Sequence, residues 1–207
     1  PDGKSELHLI GVVHRGGTTY SKPGISEAYE AVIRQFEGMG TFTTLNAEAL
    51  LKARNKLTCL QMLSAAGISV PTTAITNNLY TLPFVIDKVG PSPHIVKLAT
   101  GTQGLGVILS ESKSNAESIV EAFQKTEEKV LIQQFIEEAR GSDIRVFVID
   151  GQIVGAMKRQ AKNGEFRSNL HRGAQSEKVV LTSEEEEVAL KATQVMGLHI
   201  AGVDMLR

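Results

Sequence analysis

Between Asp143 and Arg159 the chain is committed to an antiparallel hairpin. Asp143 to Ile149 alternates, with Ile144, Val146 and Val148 on one face; Asp150-Gly151 suits the two left-handed positions of a tight turn; Gln152 to Arg159 returns. Asn163-Gly164 marks a second turn leading into Glu165 to Asn169, which the same alternation extends as a strand. With a strand predicted at Val130 to Ile136 and a last one at Leu198 to Asp204, the C-terminal third reads as an antiparallel sheet. If the alternation holds, Arg167 and Asn169 project to one face of the sheet that carries Asp143 and Arg145.

Helices and strands alternate ahead of this sheet. Leu7 to Val13 predicts a strand followed by the loop His14-Arg15-Gly16-Gly17, and Ser26 caps a helix ending near Gly38, with Tyr29, Val32, Ile33 and Phe36 at helical spacing. Asn46 to Gly67 is helical with a break at Asn55; its second half sets Leu57, Leu60 and Leu63 on one side and carries Lys56 in its first turn. A strand at Thr73 to Thr76 and a loosely helical stretch through Val89 precede the turn Gly90-Pro-Ser-Pro93. Ser114 with Glu117 predicts a capped helix that turns Ala116, Ile119, Val120 and Phe123 inward. Ser183 with Glu186 does the same for Val188, Ala192, Val195 and Met196, ending at Gly197, and the acidic run Glu184 to Glu187 is a solvated, dipole-favoured face rather than a metal site.

Composition excludes several classes. A net charge of −1 gives no general case for nucleic acid or an anionic membrane, and no apolar run is long enough to span one. A single cysteine, Cys59, excludes an intramolecular disulfide, sits in an apolar helical context and fits a reducing compartment; with no basic-then-apolar leader, the expected address is the cytoplasm. The chain opens at Pro1 and stops at Arg207 just after a strand, and is read as an incomplete protein.

Two stretches carry chemistry. Lys97-Leu-Ala-Thr-Gly-Thr-Gln-Gly-Leu-Gly106 lies between the apolar runs His94 to Val96 and Val107 to Leu109. Gly101, Gly104 and Gly106 lack a Cβ, so successive N–H groups can converge on phosphate oxygens, while Lys97 supplies a compact positive charge. A Walker A loop would place its lysine after the glycines, and a kinase loop would place it one strand later. A plain glycine-rich hairpin with a surface lysine has the same pattern. The second stretch, Phe166-Arg-Ser-Asn-Leu-His-Arg-Gly173, groups planar donors suited to phosphate and carboxylate oxygens; a polar strand edge would look alike.

Taken together with Arg34-Gln-Phe-Glu37, Ala53-Arg-Asn-Lys56, Val96-Lys-Leu98, Gly141-Ser-Asp-Ile-Arg145 and Ala201-Gly-Val-Asp204, these stretches make the chain resemble the ATP-grasp ligases. Within them it is similar to the RimK-type alpha-L-glutamate ligases, which add glutamate to the C-terminus of a small-subunit ribosomal protein. The resemblance implies an α+β ATP-grasp fold: two subdomains enclosing ATP, at 46–129 with the glycine loop and at 130–207 with the antiparallel sheet, after a remnant at 1–45 of an N-terminal α/β domain. It also implies site roles. Lys56 and Lys97 would hold the α and β phosphates, and the loop with Gly101, Thr102, Gln103, Gly104 and Gly106 would close over the β and γ phosphates. Gln134 and Phe135 would line the adenine and Asp143 would bind ribose. Arg167, Ser168 and Asn169 would face the γ-phosphate and the acyl phosphate made from it, Arg172 the substrate carboxylate, and Asp204 would be the first magnesium ligand, with manganese as an alternative ion.

The implied partners are glutamate and a protein acceptor, without nucleic acid or membrane, and a homo-oligomer is the family expectation. Gln134 stands where relatives often have glutamate, Gln160 where arginine is usual, and Ala174 where a second glycine follows Arg172. The family's Glu-x-Asn metal motif lies beyond the Gly-Val-Asp strand, so this chain is not expected to complete the magnesium site. Three alternatives stay open at this stage: a related ATP-grasp amino-acid ligase with another acceptor, a nucleotide-binding module without turnover, and an α+β domain that binds no nucleotide.

Overall fold

A computed structural model describes residues 8–14, 25–99, 106–125, 129–139, 141–162, 165–169 and 173–207, with side chains from residue 28 onward. Its elements are β1 (His8–His14), α1 (Ile25–Gly38), α2 (Ala47–Arg54), α3 (Lys56–Ala65), β2 (Thr73–Ile75), α4 (Leu82–Val89), β3 (His94–Leu98), β4 (Val107–Ser110), α5 (Lys113–Gln124), β5 (Val130–Gln134), β6 (Ser142–Ile149), β7 (Gln152–Gln160), β8 (Gln175–Lys178), α6 (Ser183–Met196) and β9 (Ile200–Leu206). They form two compact units, residues 1–70 with 141–207, and residues 71–140. Among the described residues no helix is long and apolar enough to cross a membrane.

The first unit is built on a five-stranded antiparallel sheet in the order β1-β9-β6-β7-β8. Its centre is the hairpin read from the sequence: Asp150 and Gly151 adopt φ of 47° and 74°, the double left-handed turn that Asp-Gly favours. Ile144, Val146 and Val148 of β6 and Ala201, Val203 and Met205 of β9 bury one sheet face against Leu50 of α2, Cys59 and Leu63 of α3, and Ala189, Ala192 and Met196 of α6. At roughly 1.5–3 kcal/mol for each large aliphatic buried, this face decides which way the sheet lies. Cys59 is a core residue, 3% exposed.

Caps set the helix ends. The Asn55 side chain accepts from the N–H groups of Leu57 and Thr58 to start α3, while its own N–H closes α2 on the Leu51 carbonyl. On α6 the cap is Thr182 with Glu185, one residue ahead of the predicted Ser183 with Glu186. Two overlapping Thr/Ser-x-x-Glu strings compete there, and the one used also buries Glu185, whose carboxylate takes both sides of the Arg207 guanidinium at 2.8 Å. Gly197 ends α6 in the left-handed conformation, as predicted.

The second unit is a four-stranded antiparallel sheet in the order β2-β5-β3-β4, with Val96, Val130 and Ile132 packed on Leu82, Ile86 and Val89 of α4 and Ala116 and Val120 of α5. The α5 cap is Ser112, accepting from the Asn115 N–H, rather than Ser114.

Several expectations change. Residues 165–169 form no strand, and the sheet takes β8 instead. Strand β5 pairs with β2 and β3, and the α2 and α3 helices lie against β1 and α6, so the units divide near 70 and 140 rather than at 45/46 and 129/130. Strand β1 pairs with β9 in the first unit's sheet instead of starting a separate α/β layer. On α1 only Ile33 packs on the core, with Tyr29, Val32 and Phe36 at 36%, 56% and 47% exposure. The predicted Asn163-Gly164 turn and the Ser26 cap lie outside the described residues or side chains.

Because Asn55 serves two helices, Asn55→Ala is expected to lower stability by about 1 kcal/mol, whereas Asn55→Asp should stay near wild type; urea unfolding followed by circular dichroism measures both.

Candidate functional site

The sheet face opposite the first unit's core is charged. Asp143 and Arg145 lie two apart on β6; Arg145 faces Asp204 directly across on β9, and Asp143 faces Arg159 directly across on β7. Arg145 Nε and Nη2 donate to the two Asp204 oxygens at 2.6 and 2.5 Å. Arg159 Nε donates to Asp143 Oδ1 at 2.7 Å, its Nη2 donates to the other Asp143 oxygen, and that Nη2 also lies 3.1 Å from Asp204 Oδ1. The result is a ladder of alternating sign, Arg145–Asp204–Arg159–Asp143, with Asp143 and Arg159 each 3% exposed. Burial pushes the Asp143 carboxyl up, assisted by the Asp204 charge and opposed by hydrogen bonds from Arg159 and Ser168. Burial also works against the Arg159 charge, but its two carboxylate neighbours outweigh it and its pKa is raised.

The segment from Glu165 to Asn169 joins this face through Ser168, which hydrogen-bonds Asp143. At the base of the hairpin, a Cβ on Gly141 would lie 3.2 Å from the Glu165 carbonyl oxygen, and its φ of +72° also favours glycine. Arg167 is held by Glu165: its Nε and Nη2 donate to the two carboxylate oxygens at 2.8 and 2.7 Å. Asn169 is half-buried beside them. Lys56, the first residue of α3, is half-buried as well, and desolvation pushes its ammonium down to about 8.

In the second unit the core takes Val96 and Ile132, which turns Lys97 of β3 and Gln133 of β5 to the opposite face. Lys97, 8% exposed, donates from Nζ to Gln133 Oε1 at 2.8 Å; Gln133 Nε2 donates to Thr73 Oγ1 at 2.6 Å, and that hydroxyl donates to the Pro71 carbonyl at 2.8 Å. Gly106 re-enters the hairpin at φ +67°, its carbonyl accepting from the Leu98 N–H, and a Cβ there would lie 2.7 Å from Leu98 Cδ1. Gln134 exchanges bonds with Thr72: its N–H donates to the Thr72 carbonyl, and its Oε1 accepts from the Thr72 N–H. Phe135 follows, half-buried. Gly101, Thr102, Gln103, Gly104 and Arg172 lie outside the described residues.

Two residues with expected roles are ion-paired within the sheet. Asp143, expected on a ribose, has both oxygens on Arg159 and a further bond from Ser168. Asp204, expected on magnesium, lies between Arg145 and Arg159, and among the described residues no group of three or more His, Cys, Asp or Glu could hold a metal ion. A hard dication set between two guanidinium groups with one such carboxylate is a poor fit, and the described residues alone do not make a magnesium site.

A family model described as RimK-like ATP-grasp domain matches residues 53–207, which include both charged networks. The chain belongs to this family. Curated relatives include "Probable alpha-L-glutamate ligase 2" of Shewanella frigidimarina, 46% identical over 99% of this chain and 67% of that protein. "Probable alpha-L-glutamate ligase" of Vibrio vulnificus is 49% identical over 86% of this chain and 59% of its own length. The chain thus spans about three-fifths to two-thirds of these relatives.

Among solved ATP-grasp structures, the ligase PsnB complexed with minimal precursor has a TM-score of 0.65 at 24% identity, covering 86% of this chain and 55% of that one. D-alanine–D-alanine ligase from Bacillus anthracis, complexed with ATP, has 0.68 at 21%, covering 85% and 58%. At such identities the likeness establishes the ATP-grasp fold.

Three residues that hold the network had no assigned role in the sequence. Glu165 carried no motif pattern, and Gln133 was passed over for its neighbour Gln134. Arg159 was hidden by a bulge: counting outward from Asp150-Gly151 pairs Asp143 with Lys158, but an irregularity between Phe147 and Val148 shifts the partner to Arg159.

Removing one member of the ladder leaves a buried charge behind. Arg159→Met is expected to cost roughly 3–5 kcal/mol in chemical denaturation, and adding Asp143→Asn to that variant should recover part of the loss by removing the stranded carboxylate.

Proposed function

We propose that this chain is part of an ATP-dependent carboxylate–amine ligase that adds glutamate to a peptide or protein carboxylate. Family membership and the relatives named as alpha-L-glutamate ligases support the reaction class. The structural observation that carries the nucleotide half is Lys97: a buried ammonium at the end of a strand, aimed by Gln133, immediately ahead of the glycine loop. PsnB's complex with precursor peptide PsnA2 supports a peptide acceptor by analogy of fold. The narrower reading, the C-terminus of a small-subunit ribosomal protein, rests on the motif strings between Gly141 and Gly173. ATP as co-substrate and a single buried cysteine are consistent with work in the cytoplasm.

In the proposed reaction a carboxylate oxygen of the acceptor attacks the γ-phosphorus of ATP; the bond to the β–γ bridging oxygen breaks and ADP leaves. The glutamate amine nitrogen then attacks the acyl carbon, inorganic phosphate departs, and the nitrogen gives up a proton as the amide forms. Little covalent work falls to the protein, so its contribution is positioning and charge compensation. Lys97, with Gly101, Thr102, Gln103, Gly104 and Gly106, is assigned to the phosphates, as is Lys56. Gln134 and Phe135 are assigned to the adenine. Arg167, Ser168 and Asn169 are assigned to the transferred phosphoryl group, and Arg172 to the substrate carboxylate.

The decisive assay is ADP release by the full-length protein. Release beyond one equivalent per enzyme is expected only when glutamate and an acceptor peptide are both present; ATP that protects against heat without any release would support a binding module instead. A second expectation follows from Lys56. In the free protein its ammonium loses its proton near pH 8, whereas a bound phosphate favours the charged form, so binding takes up a proton above that pH and affinity falls as pH rises through 8. Calorimetry at about pH 8.5 in two buffers of different ionisation enthalpy should therefore give a net uptake of roughly half a proton or more per nucleotide, abolished by Lys56→Met.

A further inference from the structure

Glu165 has no role in the reaction as assigned above, yet it is the most heavily bonded acceptor in its segment. Its Oε1 accepts from the backbone N–H groups of Phe166 and Arg167, both at 3.0 Å, and from Arg167 Nε at 2.8 Å, while Oε2 accepts from Arg167 Nη2 at 2.7 Å. These donors hold its carboxyl well below the usual carboxylate range, the Arg167 side chain contributing most. The same pairing raises the Arg167 pKa. On its other side the guanidinium carbon lies 5.1 Å from the centre of the Phe166 ring.

Two readings of this pair are possible in principle: a latch that an incoming anion displaces, or a strut that fixes the guanidinium. The main-chain bonds decide between them. A latch swings on side-chain contacts alone, whereas Glu165 cannot leave the fork without also stranding the N–H groups of Phe166 and Arg167. Both bonds to Glu165 use the Nε–Nη2 edge, so the plane of the guanidinium is set. The two side chains are 25% and 23% exposed, open enough for a ligand to reach the pair.

Resting on the ligase reading, we propose that Glu165 is a positioning residue that holds Arg167 in the plane required by the phosphoryl group in transfer. Prealignment of this kind speeds the chemical step and leaves ground-state affinity nearly unchanged. Glu165→Gln keeps the length of the side chain but removes its charge and sets an amide N–H against one of the donors it now accepts. Glu165→Asp draws the carboxylate back by one methylene, and serves if the glutamine variant does not fold.

The test is a double-variant cycle on the full-length protein, with ADP release in the presence of glutamate and acceptor peptide as the readout. E165Q is expected to lower kcat by about 10-fold or more with KM for ATP within about threefold of wild type. R167A should lower kcat further, and E165Q/R167A should match R167A alone, since the glutamate acts through the arginine. A residue that merely closes the 165–167 turn would add its loss to that of R167A, and additive losses would overturn the assignment. So would an E165Q protein with unaltered kcat.

Nitrogen-15 NMR gives a readout that needs no turnover. A slowly exchanging Arg167 Nε–H cross-peak, assigned by its absence in R167A, is expected in wild type and should vanish in E165Q; its persistence would overturn the pairing. A wild type with no glutamate-dependent ADP release defeats the ligase reading and this one with it, whereas a wild type that turns over beside an additive cycle defeats this one alone.

Discussion

A sheet with one apolar face can keep charges on its other face out of water only if they cancel within bonding distance. In the first unit Ile144, Val146 and Val148 commit β6 to the core, and period-two geometry then sends Asp143 and Arg145 to the opposite side regardless of their chemistry. Desolvating four ions would cost several kcal/mol each if they stood alone. Cross-strand pairing with Asp204 and Arg159 offsets that cost through two bidentate forks and the Arg159 to Asp204 contact at 3.1 Å. The register of β9-β6-β7 is thereby fixed twice, by apolar packing on one face and by charge order on the other. A one-residue slip would reverse both.

The second unit meets the same problem with less charge. Val96 and Ile132 take the core face, so Lys97 and Gln133 share the other, and the lysine is oriented by an amide that is itself anchored through Thr73 to the Pro71 carbonyl. An amide oxygen aims an ammonium without cancelling its charge.

Local signals in the sequence mapped closely onto local structure. The Asp-Gly turn, the buried alternation of β6, the break at Asn55, the Gly197 stop and the hairpin around the glycine loop each depend on residues close together in the chain. Pairing across long separations was not legible. Nothing local shows that β5 joins β3, that α2 and α3 lie against β1 and α6, or that β1 lies beside β9. The helix caps at Thr182 and Ser112 were missed by one and two residues because overlapping Ser/Thr strings offer equivalent local chemistry, and burial selects among them. Among the site candidates, Lys56, Lys97 and Arg167 stand in motif strings. Their supporting residues were not legible, because Gln133 reaches Lys97 diagonally across strands and Arg159 reaches Asp143 only through a bulge.

The cations differ in what they can contribute, and the difference follows from how each is held. Lys56 is kept by burial, which makes its charge expensive and therefore responsive to an arriving anion. Lys97 is aimed by the Gln133 amide oxygen, which supplies direction. Arg167 is kept by a carboxylate, so the pair is nearly neutral at a distance and attracts little, yet two bonds fix the plane of its guanidinium. A buried or amide-aimed ammonium is suited to attracting a polyanion, and a guanidinium fixed in a plane to aligning one at short range. A protein that needs to bind phosphate and also to hold one phosphoryl group in line has use for both kinds, because a group that attracts strongly from every direction aligns poorly, and one fixed in a plane by its own counter-ion attracts weakly.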